Sequence, residues 1–232
     1  MKNELTIVIP CKNEENYIGR LLNDLSNQDY IKGVRIIIAD AGSTDKTIQI
    51  INSYKTVLNI EIIKGGLPAV GRNNGLKISN TKWTLFLDAD AEVYDNNLIK
   101  KALYRIKSKD YEILACKLNS NIMKVKILYK LSNLIIKLSQ YDKPFSVGIF
   151  MMVNTKKARI LGGFPEWAMH CEDYLLSSKF KNCKFTVLDG YVYSDDRRFK
   201  KMSYWQMIKY FIKNIKMRNN EDYFKKDVNY WL

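Results

Sequence analysis

The apolar and polar positions of the first 90 residues alternate between two spacings. Short, mostly β-branched runs predict four strands, at residues 5–9, 34–39, 59–63 and 83–87, and the first of them reads as buried. The i, i+3, i+4, i+7 spacing of one helix face falls on Ile18, Leu21, Leu22 and Leu25. A second helix is predicted over residues 68–78, after Gly65 and Gly66.

Strands that alternate with helices indicate an α/β fold with a mainly parallel sheet flanked by helices. Ligand sites in such sheets lie beyond the carboxyl ends of the strands. Three of the predicted strands end where polar residues begin, at Pro10, Asp40 and Asp88. The second half is less regular, with helices predicted at 122–141 and 202–217 and a strand at 185–188. We expect one domain over residues 1–200 and a C-terminal helical extension over 201–232.

Composition adds limits on the class of protein. The 232-residue chain is 47% apolar, enough for a sizeable core, and carries a net charge of +14. That charge favours anionic partners such as nucleotides or an acidic membrane surface, although lysines spread evenly over a solvated surface would give the same total. Four cysteines without C-x-x-C spacing argue against a zinc site and fit reduced thiols in a cytoplasmic protein. No apolar run is long enough to predict a transmembrane helix.

Acidic residues at the strand ends are the first candidates for chemistry. Asp88 and Asp90 follow a buried strand two residues apart, so they can share Mg²⁺ or Mn²⁺ with a diphosphate, or form an ordinary acidic turn. Asp40 can bind a ribose or base, or close a turn before a helix capped by Ser43 or Thr44.

Three further groups of residues have two interpretations each. Arg72, between Gly71 and Gly75, can bind a phosphate or base, or lie on a solvated helix surface. Glu172 and Asp173 can supply a general base for an acceptor hydroxyl, or stabilise a helix N-terminus. Arg197 and Arg198 can bind a diphosphate or lipid phosphate, or pair with Asp195 and Asp196. The single histidine, His170, is more typical of packing than of metal binding.

Taken in order, these segments resemble glycosyltransferase family 2. The opening P-x-x-N-E segment matches Pro10–Glu14, and the D-D-G-S-x-D-x-T segment matches residues 39–47 with only its second acid, Asp40. The R-N-x-G segment begins at Arg72, and the D-x-D segment is Asp88-Ala89-Asp90. The final G-G-F…E-D segment matches Gly162-Gly163-Phe164 and Glu172-Asp173.

The resemblance implies a GT-A fold that binds a nucleotide-diphosphate sugar and transfers the sugar with inversion. In that family's pattern, the nucleotide pocket would be lined by Pro10, Asn13, Glu14, Asp40 and Arg72. Outside that pattern, Arg197 and Arg198 are expected near phosphates because of their charge. Asp88 and Asp90 would bind the ribose and a Mn²⁺ or Mg²⁺ ion that bridges the diphosphate. Asp173 would be the general base, with Glu172 supporting it or touching the sugar or acceptor.

The chain also departs from the family pattern. No histidine follows His170, so the late metal-binding histidine of some relatives is missing, and so is the Q-x-x-R-W segment of processive members. The missing segment favours transfer of a single sugar. A nucleotidyltransferase acting on a sugar phosphate is an alternative, but residues 9–14 lack the glycines its loop needs. A non-catalytic nucleic-acid-binding module is the other, and the acids at the strand ends count against a nucleic-acid partner.

Two basic amphipathic helices suggest where the protein works. In residues 122–138 one predicted face carries Lys126, Lys130, Asn133 and Lys137, and another carries Ile127, Leu131, Leu134, Ile135 and Leu138. Residues 202–217 repeat the design, with Lys209, Lys213 and Lys216 opposite Trp205, Ile208, Phe211, Ile212 and Ile215. Either both apolar faces pack on the core, or the helices lie at an anionic membrane. We expect peripheral attachment to the cytoplasmic face of a membrane, and a glycan or polyprenyl-linked acceptor.

Overall fold

The computed structural model describes residues 4–194 and 204–226. Within these residues the strands are β1 (Leu5–Cys11), β2 (Arg35–Asp40), β3 (Asn59–Lys64), β4 (Trp83–Leu87), β5 (Ala91–Glu92), β6 (Ile113–Asn119), β7 (Phe150–Asn154) and β8 (Phe185–Ser194). The helices are α1 (Ile18–Ser26), α2 (Thr47–Ser53), α3 (Pro68–Ile78), α4 (Leu98–Lys107), α5 (Met123–Leu138), α6 (Thr155–Ile160), α7 (Glu172–Ser177), α8 (Tyr204–Lys216) and α9 (Glu221–Phe224).

The first half of the chain forms the predicted parallel βαβ units. β3, β2, β1 and β4 lie side by side with parallel neighbours, and the predicted bounds of α3 and β4 are confirmed. All four apolar residues predicted on the face of α1 are buried. Successive residues of β1 point to opposite faces, so Ile7 packs towards α1 while Val8 packs towards α3. This buries both faces of the sheet between helices, which is the three-layer α/β architecture.

The second half makes the sheet mixed. The strand order is β3-β2-β1-β4-β7-β6-β8-β5, and β7 is antiparallel to both β4 and β6. The strands β5, β6 and β7 and the helix α4 were not among the predicted elements. The three strands widen the sheet beyond its predicted part. β6 and β7 are short apolar runs, and their order and direction in the sheet are decided by pairing with other strands rather than by local pattern.

The turn after β2 differs from the predicted helix cap. α2 begins at Thr47, and the residue before it, Lys46, makes no side-chain capping bond within the described part of the chain. Ser43 is therefore not the cap; its hydroxyl donates to Asp40 at 2.5 Å and accepts from the Asn13 backbone N–H at 2.9 Å. Thr44 is not the cap either, because it lies three residues before the start of α2. Its backbone N–H donates to the Asn13 side chain at 2.8 Å.

The helix α5 packs on β6 by a face other than the predicted one. Its buried residues are Val125, Leu128, Tyr129 and Ile136. Asn133, which was predicted to lie among the lysines, instead accepts from and donates to the backbone of Leu118, at 2.8 and 2.9 Å. Most of the predicted apolar face remains exposed, at Ile127, Leu131, Leu134 and Leu138. The interpretation that this face packs on the core is therefore wrong for α5.

The described part of the C-terminal extension contacts the segment before α7. The backbone N–H of Met169 donates to the carbonyl of Phe224 at 2.8 Å, and the rings of Tyr210, Tyr223 and Phe224 surround buried His170. His170 thus has the packing role predicted for it. Across residues 4–194 and 204–226, no helix has the length and apolar character required to cross a bilayer.

Candidate active site

Three parallel strands deliver the predicted site residues to one edge of the sheet. Pro10 lies near the end of β1, Asp40 ends β2, and Asp88 follows β4. The register pairs Pro10 with Ala39 and Cys11 with Asp40, so the ends of β1 and β2 are level. The structure therefore brings these three positions together, as parallel pairing predicts.

Two loops at this edge are bonded to each other through residues predicted to line a nucleotide pocket. Asn13 has a left-handed backbone with φ 52°, and the backbone N–H of Glu14 donates to the hydroxyl of Thr47 at 2.7 Å. Asp40 accepts from the N–H groups of Gly42 and Ser43, each at 3.0 Å. These bonds are those of a turn, which was one of the two interpretations of Asp40. They hold the loops in position, while contact with a nucleotide stays a prediction.

Arg72 is buried beneath the site. The interpretation that it lies on a solvated helix surface is therefore wrong. Its side chain is 2% exposed. One guanidinium nitrogen donates to Asp88 at 2.5 Å and another donates to Glu172. Burial by itself would lower the pKa of Arg72, but Asp88, Glu172 and Asp173 outweigh it and raise that pKa. Arg72 thus links the D-x-D segment to the E-D segment as a permanent cation.

Glu172 and Asp173 occupy the first turn of α7. Asp173 accepts from the N–H of Gly148 at 2.8 Å and from its neighbour Tyr174 at 2.7 Å. Burial raises the pKa of both carboxyls, and Arg72 acts in the opposite direction. A carboxylate whose pKa is raised is a better proton acceptor than an ordinary aspartate, which is what a general base requires.

Two residues that were not among the predicted site residues shape this centre. A Cβ on Gly148 would lie 2.4 Å from the Arg72 guanidinium, so only glycine allows the approach. Asn73 donates to the carbonyl of Phe164 at 2.8 Å and accepts from its N–H at 2.9 Å, while the Phe164 ring lies 5.5 Å from the guanidinium carbon of Arg72. The one sequence signal for Asn73 was its position next to Arg72 in the R-N-x-G segment, and no sequence signal identified Gly148.

The acid pair predicted to hold a metal is at the end of β4. Asp90 is 4% exposed, and Asp88 is partly buried and bonded to Arg72. Within the described residues, no set of three or more His, Cys, Asp or Glu side chains is arranged to hold a metal ion. Arg197 and Arg198 lie outside the described residues, so their predicted contacts with phosphate stay predictions.

A cavity of about 450 Å³ opens beside these carboxylates. It lies between α5 and α8, and Asp88, Glu172 and Asp173 line it together with Arg72. Most of its other lining side chains are apolar, among them Leu128, Ile135, Phe145, Met207 and Phe211. The candidate base is therefore next to an apolar chamber.

This chain resembles known proteins in sequence. The sequence profile described as Glycosyl transferase family 2 matches residues 6–162. Poly(ribitol-phosphate) beta-N-acetylglucosaminyltransferase TarS of Staphylococcus aureus is 31% identical over 120 residues, which are 50% of this chain and 21% of TarS. The 4,4'-diaponeurosporenoate glycosyltransferase of Staphylococcus haemolyticus is 22% identical over 81% of this chain and 49% of its own length.

Solved structures agree on the fold. S. aureus TarS residues 1–349 in complex with UDP-GlcNAc superimposes with a TM-score of 0.68 at 23% identity, over 83% of this chain and 58% of that one. The mannosyltransferase PcManGT of Pyrobaculum calidifontis, in complex with GDP-Man and Mn²⁺, gives 0.71 at 18% identity, over 92% and 64%. The chain thus spans about a fifth of TarS and less than two thirds of either solved chain.

The profile covers more than half of the chain, and the mixed eight-stranded sheet is the GT-A architecture of these neighbours. The match counts against a non-catalytic nucleic-acid-binding module and favours sugar transfer over nucleotidyl transfer. This chain belongs to glycosyl transferase family 2.

Proposed function

We propose that this chain transfers one sugar from a nucleotide-diphosphate sugar to an acceptor hydroxyl, with inversion at the anomeric carbon. The observation that carries the proposal is the buried Arg72, which holds Asp88 and Glu172 together beside Asp173 at the carboxyl edge of the sheet. UDP is the nucleotide to test first, because S. aureus TarS has been solved with UDP-GlcNAc and with UDP. GDP is the second, because PcManGT has been solved with GDP-Man.

Asp173 is the proposed general base. Its carboxylate would take the proton from the acceptor hydroxyl as that oxygen forms a bond to the anomeric carbon. The bond from this carbon to the diphosphate oxygen breaks at the same time, and the nucleoside diphosphate leaves with the electron pair. The hydrogen bond from Gly148 holds the carboxylate in one orientation, and Glu172 stays fixed against Arg72.

Asp88 and Asp90 fit a Mn²⁺ or Mg²⁺ ion. Two carboxylates at a strand end are a suitable protein contribution, since Mg²⁺ is usually held by one or two carboxylates together with substrate phosphates and water. When bound, such an ion would neutralise charge that develops on the departing diphosphate. Arg72 donates a hydrogen bond to Asp88 and so holds this carboxylate in position for the ion.

The proposal includes attachment to the cytoplasmic face of an anionic membrane and a polyprenyl-linked acceptor. Exposed apolar side chains on α5 and α8 lie among exposed lysines, which include Lys126, Lys130, Lys209 and Lys213. Such helices suit the interface of an anionic bilayer.

A thermal-shift screen of nucleotide-sugars with Mn²⁺ tests the donor. A bound donor stabilises the folded state, by roughly 2.7 kcal/mol at a hundred times its Kd, so the true donor should raise Tm clearly. Product analysis tests the reaction: free nucleoside diphosphate supports sugar transfer, whereas pyrophosphate would indicate a nucleotidyltransferase. Failure of every UDP- and GDP-sugar to raise Tm would contradict the proposed donor class.

A further inference from the structure

The cavity between α5 and α8 has apolar walls and a charged inner end. Its volume of about 450 Å³ is within the range of small-molecule sites, roughly 300–1,000 Å³. Asp88, Glu172 and Asp173 line one part of it next to Arg72, and Asp142, Lys143 and Arg218 also belong to the lining. A ligand that matches both parts must combine an apolar body with a polar end.

Residues that line the cavity are also open to solvent on both helices. Leu131 of α5 is 56% exposed and Ile212 of α8 is 49% exposed, and both belong to the cavity lining. Leu138 of α5 and Ile215 of α8 are likewise exposed and belong to the cavity lining. Apolar surface left in water costs about 25 cal/mol per Å², so this opening favours an apolar occupant or surface.

A free, water-soluble glycan fits these walls poorly. Its hydroxyls would lose their hydrogen bonds to water against side chains such as Leu128, Ile135 and Phe211, which offer none in return. A hydrocarbon chain has no hydrogen bonds to water to lose against these side chains. The carboxylates beside Arg72 can accept hydrogen bonds from a hydroxyl-bearing group.

We infer that the cavity holds the hydrocarbon chain of an amphiphilic acceptor drawn from a lipid bilayer, with the hydroxyl-bearing head group at Asp173. The inference rests on the proposed function, because it assigns the acceptor class of the same site. Exposed lysines on both helices complement an anionic lipid surface, and the exposed side chains of Leu131 and Ile212 lead from that surface into the cavity. The chain of the acceptor then passes between α5 and α8 without crossing water.

A matched pair of substitutions on α5 tests the inference. Ile135 lines the cavity, whereas Ile127 is 54% exposed and does not line it. The probe is radiolabelled dodecyl β-maltoside below its critical micelle concentration, measured by equilibrium dialysis, with maltose as competitor. Ile135→Trp fills the cavity and should weaken binding about tenfold or more, a loss of roughly 1.4 kcal/mol. Ile127→Trp should leave binding within about twofold of wild type, and maltose should not compete.

Equal binding by the two variants, or competition by maltose, overturns the inference. Ile208→Trp, on α8, repeats the test from the other helix if Ile135→Trp does not fold. A separate measurement of Tm with UDP-GlcNAc and Mn²⁺ distinguishes the two proposals. A protein that binds the amphiphile in the cavity but no nucleotide-sugar contradicts the proposed function, whereas the reverse result contradicts the acceptor class.

Discussion

At the scale of single residues, Arg72 governs the charge of the site. Three carboxylates face its guanidinium, and in residues 4–194 and 204–226 its buried Nε has no hydrogen-bond partner. Removing one partner from a buried ion pair costs about 3–5 kcal/mol, because the remaining charge stays buried. Arg72 is therefore needed for the fold of the site as well as for its chemistry, and substitutions around it are more informative than its own.

Gly148→Ala is the sharpest such substitution. The new Cβ would lie 2.4 Å from the guanidinium and push it away from Asp88 and Glu172. We expect a loss of roughly 1–3 kcal/mol in the free energy of unfolding and a large loss of transfer activity. Gly19→Ala is the control, because its Cβ would meet Ile50 at an ordinary 3.4 Å. Denaturant unfolding and initial rates measure both, and a fully active Gly148→Ala would contradict the role given to this contact.

Asp173→Asn should remove the base while keeping the shape of the side chain. Turnover should fall by about 10²-fold or more, with the donor-induced rise in Tm largely kept. Asp189→Asn, at a side chain that is 97% exposed, is the control and should be fully active. Normal turnover by Asp173→Asn, or a product with retained anomeric configuration, would contradict the mechanism.

The pH dependence of the wild type gives an independent check on Asp173. Burial raises the pKa of this carboxyl above the ordinary value of about 3.9. The protonated form cannot accept a proton, so kcat/KM should fall as pH is lowered through that raised pKa. An acid limb that stays at the value of an ordinary aspartate would show that Asp173 is not the titrating base.

Asp90→Ala tests the proposed metal site. Without this carboxylate, UDP-GlcNAc plus Mn²⁺ should raise Tm much less than in wild type, and transfer should be lost. Asp29→Ala, an exposed acid outside the site, serves as the control. If Asp90→Ala turns over normally in the presence of a chelator, the metal proposal is wrong.

At the scale of elements, α3 joins the pieces of the motif series. Gly75 lets the helix approach β1, since a Cβ there would lie 2.4 Å from Val8. From that close position, Arg72 reaches Asp88 and Glu172, and Asn73 reaches Phe164. Segments far apart in the chain thus meet around one helix. The helix α5 plays a different part, since one face packs on β6 while its apolar neighbour stays exposed.

Flotation with liposomes tests the exposed face of α5. Each lysine near an anionic surface contributes roughly 1 kcal/mol, so replacing Lys126, Lys130 and Lys137 with Glu should cost about 3 kcal/mol or more, about a hundredfold in binding. The control replaces Lys32, Lys55 and Lys77, exposed lysines on other elements, with Glu. We expect wild type and control to float with anionic liposomes at physiological salt. Wild type that stays at the bottom, with or without anionic lipid, would contradict membrane attachment and leave the glycosyltransferase assignment intact.

At the scale of the whole molecule, the antiparallel β7 completes the site. An antiparallel strand begins at the edge where its neighbour ends, and Phe150 at the start of β7 pairs with Leu87 at the end of β4. The residues just before β7 therefore lie beside Asp88, and Gly148 can donate to Asp173. A parallel strand in this place would begin at the opposite edge and leave Asp173 without that donor.

The sequence by itself determined the parallel half of the fold and named the candidate site residues. Periodicity located β1 to β4, α1 and α3, because apolar side chains recur along each of them at the spacing of a strand or a helix. The same strand ends located Pro10, Asp40 and Asp88. Only the tertiary structure decided the antiparallel position of β7, the burial of Arg72 and the face by which α5 packs. These depend on pairings between segments 15 to 100 residues apart, such as Asn133 with Leu118 and Arg72 with Glu172, and local spacing carries no information about such contacts.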